Sequence, residues 1–161
     1  MAQEDFFLKI EGIEGESSDS KHKGEIQISS FSFGVTNSGT GGAGGGSGAG
    51  KVNVQDIHVT KVMDKSSPNL FIGCCTGKHY NKATLTIRKA GEKPLDYLVY
   101  NLTEVMVSSH SVSGHEGGGI AQESVSLNFA KVEMVYTPQK ADGSGEAKIS
   151  KAWDLAKNVA T

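Results

Sequence analysis

Three stretches of this sequence alternate apolar and polar residues, and in each the alternation changes parity midway. In EIQISSFSFGVTNS (Glu25–Ser38), Ile26 and Ile28 are even, but Phe31, Phe33 and Val35 are odd. In KVNVQDIHVTKVM (Lys51–Met63), Val52 and Val54 give way to Ile57 and Val59. In ESVSLNFAKVEMVYTPQ (Glu123–Gln139), Val125, Leu127 and Phe129 give way to Val132, Met134 and Tyr136. A period of two predicts strands, because successive side chains of a strand leave on opposite faces. A parity switch predicts one of three things: a bulge, a strand that bends from one sheet to another at a barrel corner, or a strand covered on both faces by its own core and by a neighbouring subunit. YLVYNL (Tyr97–Leu102) is apolar on both faces, which favours the last. FFLKIEGI (Phe6–Ile13), ATLTIRKAG (Ala83–Gly91) and DYLVYNLTEVMVSS (Asp96–Ser109) add further strands, with Ala83, Leu85 and Ile87 on one face. A chain of 161 residues suits one domain, residues 1–161. The predicted fold is mainly β: a closed or nearly closed antiparallel barrel with one small helix.

The helix comes from DKSSPNLFIGCCTGKH (Asp64–His79). Ser67 stands before Pro68, an apolar block follows, and Gly77 comes next. Ser as N-cap, Pro at the first helical position and Gly just past the end are helix start and stop signals. The C-terminal AKISKAWDLAKNVAT reads two ways: Ile149, Trp153 and Ala156 make a helical stripe, and Ala147, Ile149 and Lys151 open a strand.

The run GTGGAGGGSGAG joins two of the long alternating segments. Gly45 to Lys51 fits the first seven positions of a phosphate-binding loop, but the eighth is Val52 where Ser or Thr holds magnesium. Such a loop must open a helix, and VNVQDIHV alternates as a strand, so nucleotide binding is not expected. A hairpin needs only two to five loop residues. This longer run of small residues is either a disordered surface loop or an arm that orders against another subunit.

Chemistry is sparse elsewhere. Net charge is −2, with 16 basic and 18 acidic residues well mixed, so no basic stripe suggests nucleic acid as a partner. MAQEDFFLKI carries acidic residues where a signal peptide needs basic ones, and no apolar run approaches a membrane span, so a cytoplasmic chain without membrane insertion is expected. Cys74 and Cys75 are adjacent, too close for an unstrained bridge, and read as two small buried hydrophobes. No metal-ligand spacing, nucleophile motif or cofactor motif is found among His22, His58, His79, His110 and His115, and His115-Glu116 sits in a glycine-rich turn expected to be solvated. No enzyme activity, metal or cofactor is expected.

Five blocks, GESSDSKHKGEI (Gly15–Ile26), GAGKVNVQDIHVTK (Gly48–Lys61), DKSSPNLFIGCCTGKHY (Asp64–Tyr80), ATLTIRKAG (Ala83–Gly91) and LNFAKVEMVYTPQKADG (Leu127–Gly143), together resemble the Hcp (haemolysin co-regulated protein) family of bacterial type VI secretion systems, in the family's order over nearly the whole chain. The resemblance implies a barrel of two antiparallel β-sheets flanked by a short helix. It implies a homohexameric ring, stacked into the inner tube of a contractile machine with sheath, spike and baseplate proteins as partners. The tube is expelled without a signal peptide when the sheath contracts, and its lumen carries small effectors. The family reads Lys148–Leu155 as a strand and Pro68–Cys75 as the flanking helix. Gly39–Gly50 becomes an extended loop toward the adjacent ring, with Gly41, Gly42, Gly44, Gly45, Gly46 and Gly48 as contact candidates. Ser32, between two rings that share the other face, faces either the lumen and its cargo or a structural contact. The turn Ala90, Gly91, Glu92 is expected on one rim, and Ala156–Val159, with Ala156 and Lys157, on the opposite one. A phage-type tail tube protein and a stand-alone ligand-binding barrel are the alternatives.

Overall fold

The structure is a computed structural model that describes residues 4–39 and 50–161. Its strands are β1 (Glu4–Ile10), β2 (Ile26–Ile28), β3 (Ser30–Ser32), β4 (Val35–Asn37), β5 (Val52–Val54), β6 (Ile57–Val62), β7 (His79–Lys89), β8 (Leu95–Ser113), β9 (Gln122–Tyr136), β10 (Ile149–Asp154) and β11 (Val159–Ala160), with one helix, α1 (Ser67–Thr76), between β6 and β7. All pairings are antiparallel. The neighbours run β2–β1–β7–β8–β9–β6–β3. Because β3 follows β2 in the chain, that circuit closes on itself, and the Ser29 N–H donates to the Thr60 carbonyl at 2.8 Å where it does.

Of the three parity switches, one is a corner of this barrel, one separates a ribbon from the main sheet, and one is an extra residue taken by two paired strands. At Ser29 the chain leaves β1, where Ile28 faces Phe6, and joins β6, where Phe31 faces Val59. Ile26 and Ile28 point into one half of the core, and Phe31 and Phe33 pack against the other. The predicted long strand over residues 25–38 is therefore three short ones, and 51–63 is two. The switch at Gln55–Asp56 separates β6 from β5, which pairs with β4 in a ribbon outside the main sheet. In β9 the buried row passes from Phe129 to Val132, and in β8 it passes from Leu102 to Val105 directly opposite. Both strands take an extra residue at one level, so the register before it (Thr103 with Lys131) and after it (Val105 with Phe129) is the same. Glu104 supplies the bend with φ of 51°. Beyond it β9 changes partners: its first half pairs β6 and its second half pairs β10. The C-terminal segment is thus a strand, against its helical periodicity.

The interior is filled by Leu8, Ile10, Ile26, Ile57, Leu85, Ile87, Leu102, Val105 and Leu127, with Phe31, Phe33, Tyr100 and Phe129 in tilted or edge-to-face contact. Each full burial of such a side chain stabilises by about 1.5–3 kcal/mol. The first strand stops at Ile10, three residues short of the expectation, because Gly12 turns the chain with φ of 100°. The polar stretch after it is a strap laid over β1 and β7. His22 stacks on Phe7 at 4.3 Å, and the Arg88 guanidinium lies 4.9 Å from the centre of that ring. Arg88 also donates to Asp19 at 2.7 and 3.0 Å and to Asp5 at 3.0 Å, holding the Asp19 carboxyl far below the usual range. Phe7 is thereby 1% exposed although it faces away from the barrel core. In YLVYNL, Val99 stays half-buried on the outer side, whereas Tyr97 packs against the core and its hydroxyl donates to Glu4 at 2.7 Å.

Helix α1 starts one residue earlier than its signals suggest. Ser66, not Ser67, is the N-cap, and it makes no side-chain bond to the helix. Ser67 is the first helical residue, and its hydroxyl accepts the Asp64 N–H at 3.0 Å. Gly77 ends the helix in the left-handed region with φ of 64°, and the Lys78 N–H reaches back to the Gly73 carbonyl at 3.1 Å. Cys74 is half-buried and Cys75 exposed, which corrects the expectation of two buried thiols. The reason is helical periodicity: Leu70 and Gly73 take the buried face and turn position 75 outward.

Candidate functional site

The strands β3, β6, β9 and the end of β8 make a four-stranded wall with two unlike faces. The inward rows are apolar. The outward rows carry hydroxyls, because most intervening positions are Ser, Thr, His or Asn, with Val62 and Gln122 at one end. One row across the wall is Ser32, His58, Ser126 and Ser109, and the next is Ser30, Thr60, Ser124 and Ser111. Ser109 donates to Ser126 at 2.7 Å, and Ser126 meets His58 Nδ1 at 2.6 Å. Ser30 and Thr60 share a hydrogen bond of 2.5 Å. At the corner Asp56 accepts from Ser108 at 2.6 Å and Asn128 at 2.9 Å. The bulge after Val107 turns Ser108 toward that carboxylate.

Such a face binds by many weak donor and acceptor contacts rather than by one strong charge. The Ser126–His58 contact resembles a nucleophile and its base, but Ser126 is 5% exposed, and among the described residues no carboxylate orients the other ring nitrogen. Among the described residues no three metal-ligating side chains come together.

Beneath the end of this wall lies a buried charge cluster that the sequence reading missed. The Glu123 carboxylate accepts from Lys61 Nζ at 2.9 Å, from His110 Nε2 at 2.7 Å and from the Ser67 hydroxyl. Lys61 also donates to Asp64 at 2.9 Å and to the Val62 carbonyl at 3.0 Å. Burial pushes the Glu123 carboxyl up, but the Ser67, Lys61 and His110 donors outweigh it and hold the group below the usual range. The signal was present: Lys61 continues the inward row of Ile57 and Val59, and Glu123 opens the row of Val125 and Leu127. Opposite charges on adjacent inward rows announce a buried pair.

The expected site residues lie apart. Ser32 is exposed on the hydroxyl face, turned away from the half-buried Phe31 and Phe33. Ala90, Gly91 and Glu92 are exposed in the turn from β7 to β8, beyond the pair Lys89–Leu95. Ala156 and Lys157 are exposed in the turn from β10 to β11. By register, β10 runs from the level of Leu98 to that of Thr103, so the two turns lie at opposite ends of this part of the sheet. Gly41, Gly42, Gly44, Gly45, Gly46 and Gly48 lie outside the described residues.

The comparisons bear on this geometry directly. A family profile described as "Type VI secretion system effector, Hcp" matches residues 7–136. The protein hcp1 of Pseudomonas aeruginosa is 54% identical over 157 residues, covering 96% of this chain and 97% of that protein. A solved "type six secretion system protein" superposes with a TM-score of 0.93 at 31% identity, covering 98% of this chain and 99% of the other. Hcp1 from Salmonella typhimurium superposes at 0.83 with 37% identity, covering 99% and 100%. With the two-sheet barrel, the flanking helix and these likenesses together, the chain belongs to the Hcp family of type VI secretion tube proteins.

Proposed function

We propose that this protein is the structural subunit of a type VI secretion inner tube, working as a homohexameric ring rather than as an enzyme. The observation that carries the reading is the hydroxyl-lined wall. Among the described residues, β3 pairs only with β6, and β8 has no partner on its far side after Met106. The wall therefore ends in two open edges. Open edges invite pairing, and a head-to-tail contact whose rotation closes makes a ring. Six copies joined edge to edge would turn the hydroxyl faces toward one lumen, with Ser32 in reach of a small effector cargo. The aromatic fill of each barrel's interior favours this over a ligand cavity inside the subunit.

Rings stack through the rims at Ala90, Gly91, Glu92 and at Ala156, Lys157, with the glycine arm at 39–50 reaching the next ring. Sheath, spike and baseplate proteins are the remaining partners, and contraction of the sheath exports the tube from the cytoplasm without a signal peptide. The test is mass in solution by light scattering after size exclusion, with negative-stain images of the same peak. A six-fold ring with an open centre is expected. A monomer at every concentration would make the family relation one of ancestry only. A second measurement addresses Ser32: Ser32→Gln should leave the ring intact and reduce co-purification of a small effector. Unchanged retention would remove Ser32 from the cargo surface.

A further inference from the structure

The hydroxyl face of the wall carries one imidazole at its centre. His58 is exposed there, between Ser32 on β3 and Ser126 on β9. A chain of hydroxyls fixes how its ring is protonated. Ser109 donates to Ser126 at 2.7 Å, which leaves the Ser126 proton for His58 Nδ1, 2.6 Å away. Ser126 is 5% exposed, so that proton has little water to turn to, and a buried donor left without an acceptor is costly. A neutral ring that accepts at Nδ1 carries its own proton on Nε2. His58 Nε2 has no hydrogen-bond partner among the described residues. It is an uncommitted donor beside the exposed Ser32 hydroxyl, because Ser32 stands directly opposite His58 in the strand pair.

The neighbours decide what this donor takes. The strands β3, β8 and β9 surround His58 with serines and Asn128. One row along is the Asp56 carboxylate, held by Ser108 and Asn128, and His79 of β7 ends that row beyond Met106. Lys61 and Glu123 are buried on the opposite face. Among the described residues no lysine or arginine stands in these rows, so at neutral pH the face around His58 is slightly acidic. An imidazole is the side chain that gains charge between pH 8 and pH 5. Protonating His58 adds a donor at Nδ1, and Ser126 and Ser109 need only turn their hydroxyls to accept it. Charge then arrives without repacking. We propose that His58 makes this wall a pH-dependent site for cargo bearing carboxylates, such as Asp and Glu side chains, with Nε2–H and the Ser32 hydroxyl as its donors. Such cargo is held when His58 is protonated and released as pH rises through the imidazole range. The inference rests on the ring proposed above, which would set one such group per subunit around a shared lumen.

The test measures binding of a fluorescent Glu–Gly repeat peptide to wild-type rings by anisotropy, at about pH 5.5 and about pH 7.5 and fixed ionic strength. A Gln–Gly repeat of the same length is the control. The Glu–Gly peptide should bind about fivefold or more tightly at the lower pH, the difference between a charge-assisted and a neutral hydrogen bond. The Gln–Gly peptide should show no such gain, and His58→Asn, a change at an exposed position, should abolish it in intact rings. Equal binding at both pH values, or a gain that survives in His58→Asn, would overturn the site and leave the ring standing. A chain that never assembles would overturn the ring, and the same peptides on the monomer would still decide the site. Imidazole nitrogen shifts from NMR read the tautomer without any ligand. Neutral His58 should carry its proton on Nε2 and lose that preference in Ser126→Ala. A neutral ring protonated on Nδ1 in the wild type would also sink the proposal, because the donor would then point away from Ser32.

Discussion

Lys61 and Glu123 show how much one inward charge pair fixes. Both side chains are fully buried, on neighbouring strands, and together they tie β6 and β9 to the first turn of α1. Removing one partner of a buried pair leaves an uncompensated charge and costs about 3–5 kcal/mol. Lys61→Met should lower the unfolding free energy by about that amount in urea titration. Lys61→Met with Glu123→Leu should lose less than Lys61→Met alone, since the Glu123 charge is then no longer stranded in the core. The pH dependence follows from the same cluster. A carboxyl held below its unfolded value contributes stability above the ordinary carboxylate range, and that contribution is lost as pH falls through the folded value. The urea midpoint should therefore drop on acidification, and Glu123→Gln should flatten that part of the curve.

Helix α1 shows how an element is placed by what it lacks. Its buried face holds Leu70 and Gly73, and a Cβ on Gly73 would overlap the Tyr80 hydroxyl. The absence of a side chain lets the helix settle onto the start of β7. Gly73→Ala improves helix propensity, which alone would stabilise, but the overlap should dominate and cost about 1–3 kcal/mol. Thermal unfolding followed by circular dichroism measures the loss. Adding Tyr80→Phe should recover part of it, because the overlapping oxygen is gone, and the recovery reports the coupling between the two positions. The start and stop signals placed the helix to within one residue at each end. They misassigned the cap because Ser67 is taken by the buried Glu123, a partner that lies far away in sequence.

The molecule as a whole combines a rigid barrel with a slender ribbon. Among the described residues β4 and β5 pair only with each other, and they flank the glycine run in the chain. A two-stranded ribbon is marginal alone in water, which suits an arm completed by another subunit. In the proposed tube, ordering such an arm costs roughly 1 kcal/mol or more per residue fixed, so its net contribution to stacking is expected to be limited. In the proposed tube, deleting residues 41–48 should leave the ring intact and weaken stacking between rings. Sedimentation and negative-stain images of tube lengths measure this, and loss of the ring itself would count against the arm's proposed role.

What the sequence determined by itself was local and periodic. Alternation gave the strands, Pro68 and Gly77 bracketed the helix, and five motif blocks carried the family resemblance. Parity marked where side chains change face but left a bulge, a barrel corner and a second covered face open, and the fold made a corner at Ser29 and a bulge in β9. The tertiary structure decided everything that depends on partners distant in the chain. It made residues 149–154 a strand, because β9 offers them an edge. It buried Phe7 under a polar strap, because Arg88 and His22 come from elsewhere to cover it. It turned a lysine and a glutamate into core residues, because each supplies the counter-charge the other lacks. Periodicity specifies which way a side chain points, and only the fold supplies what it meets there.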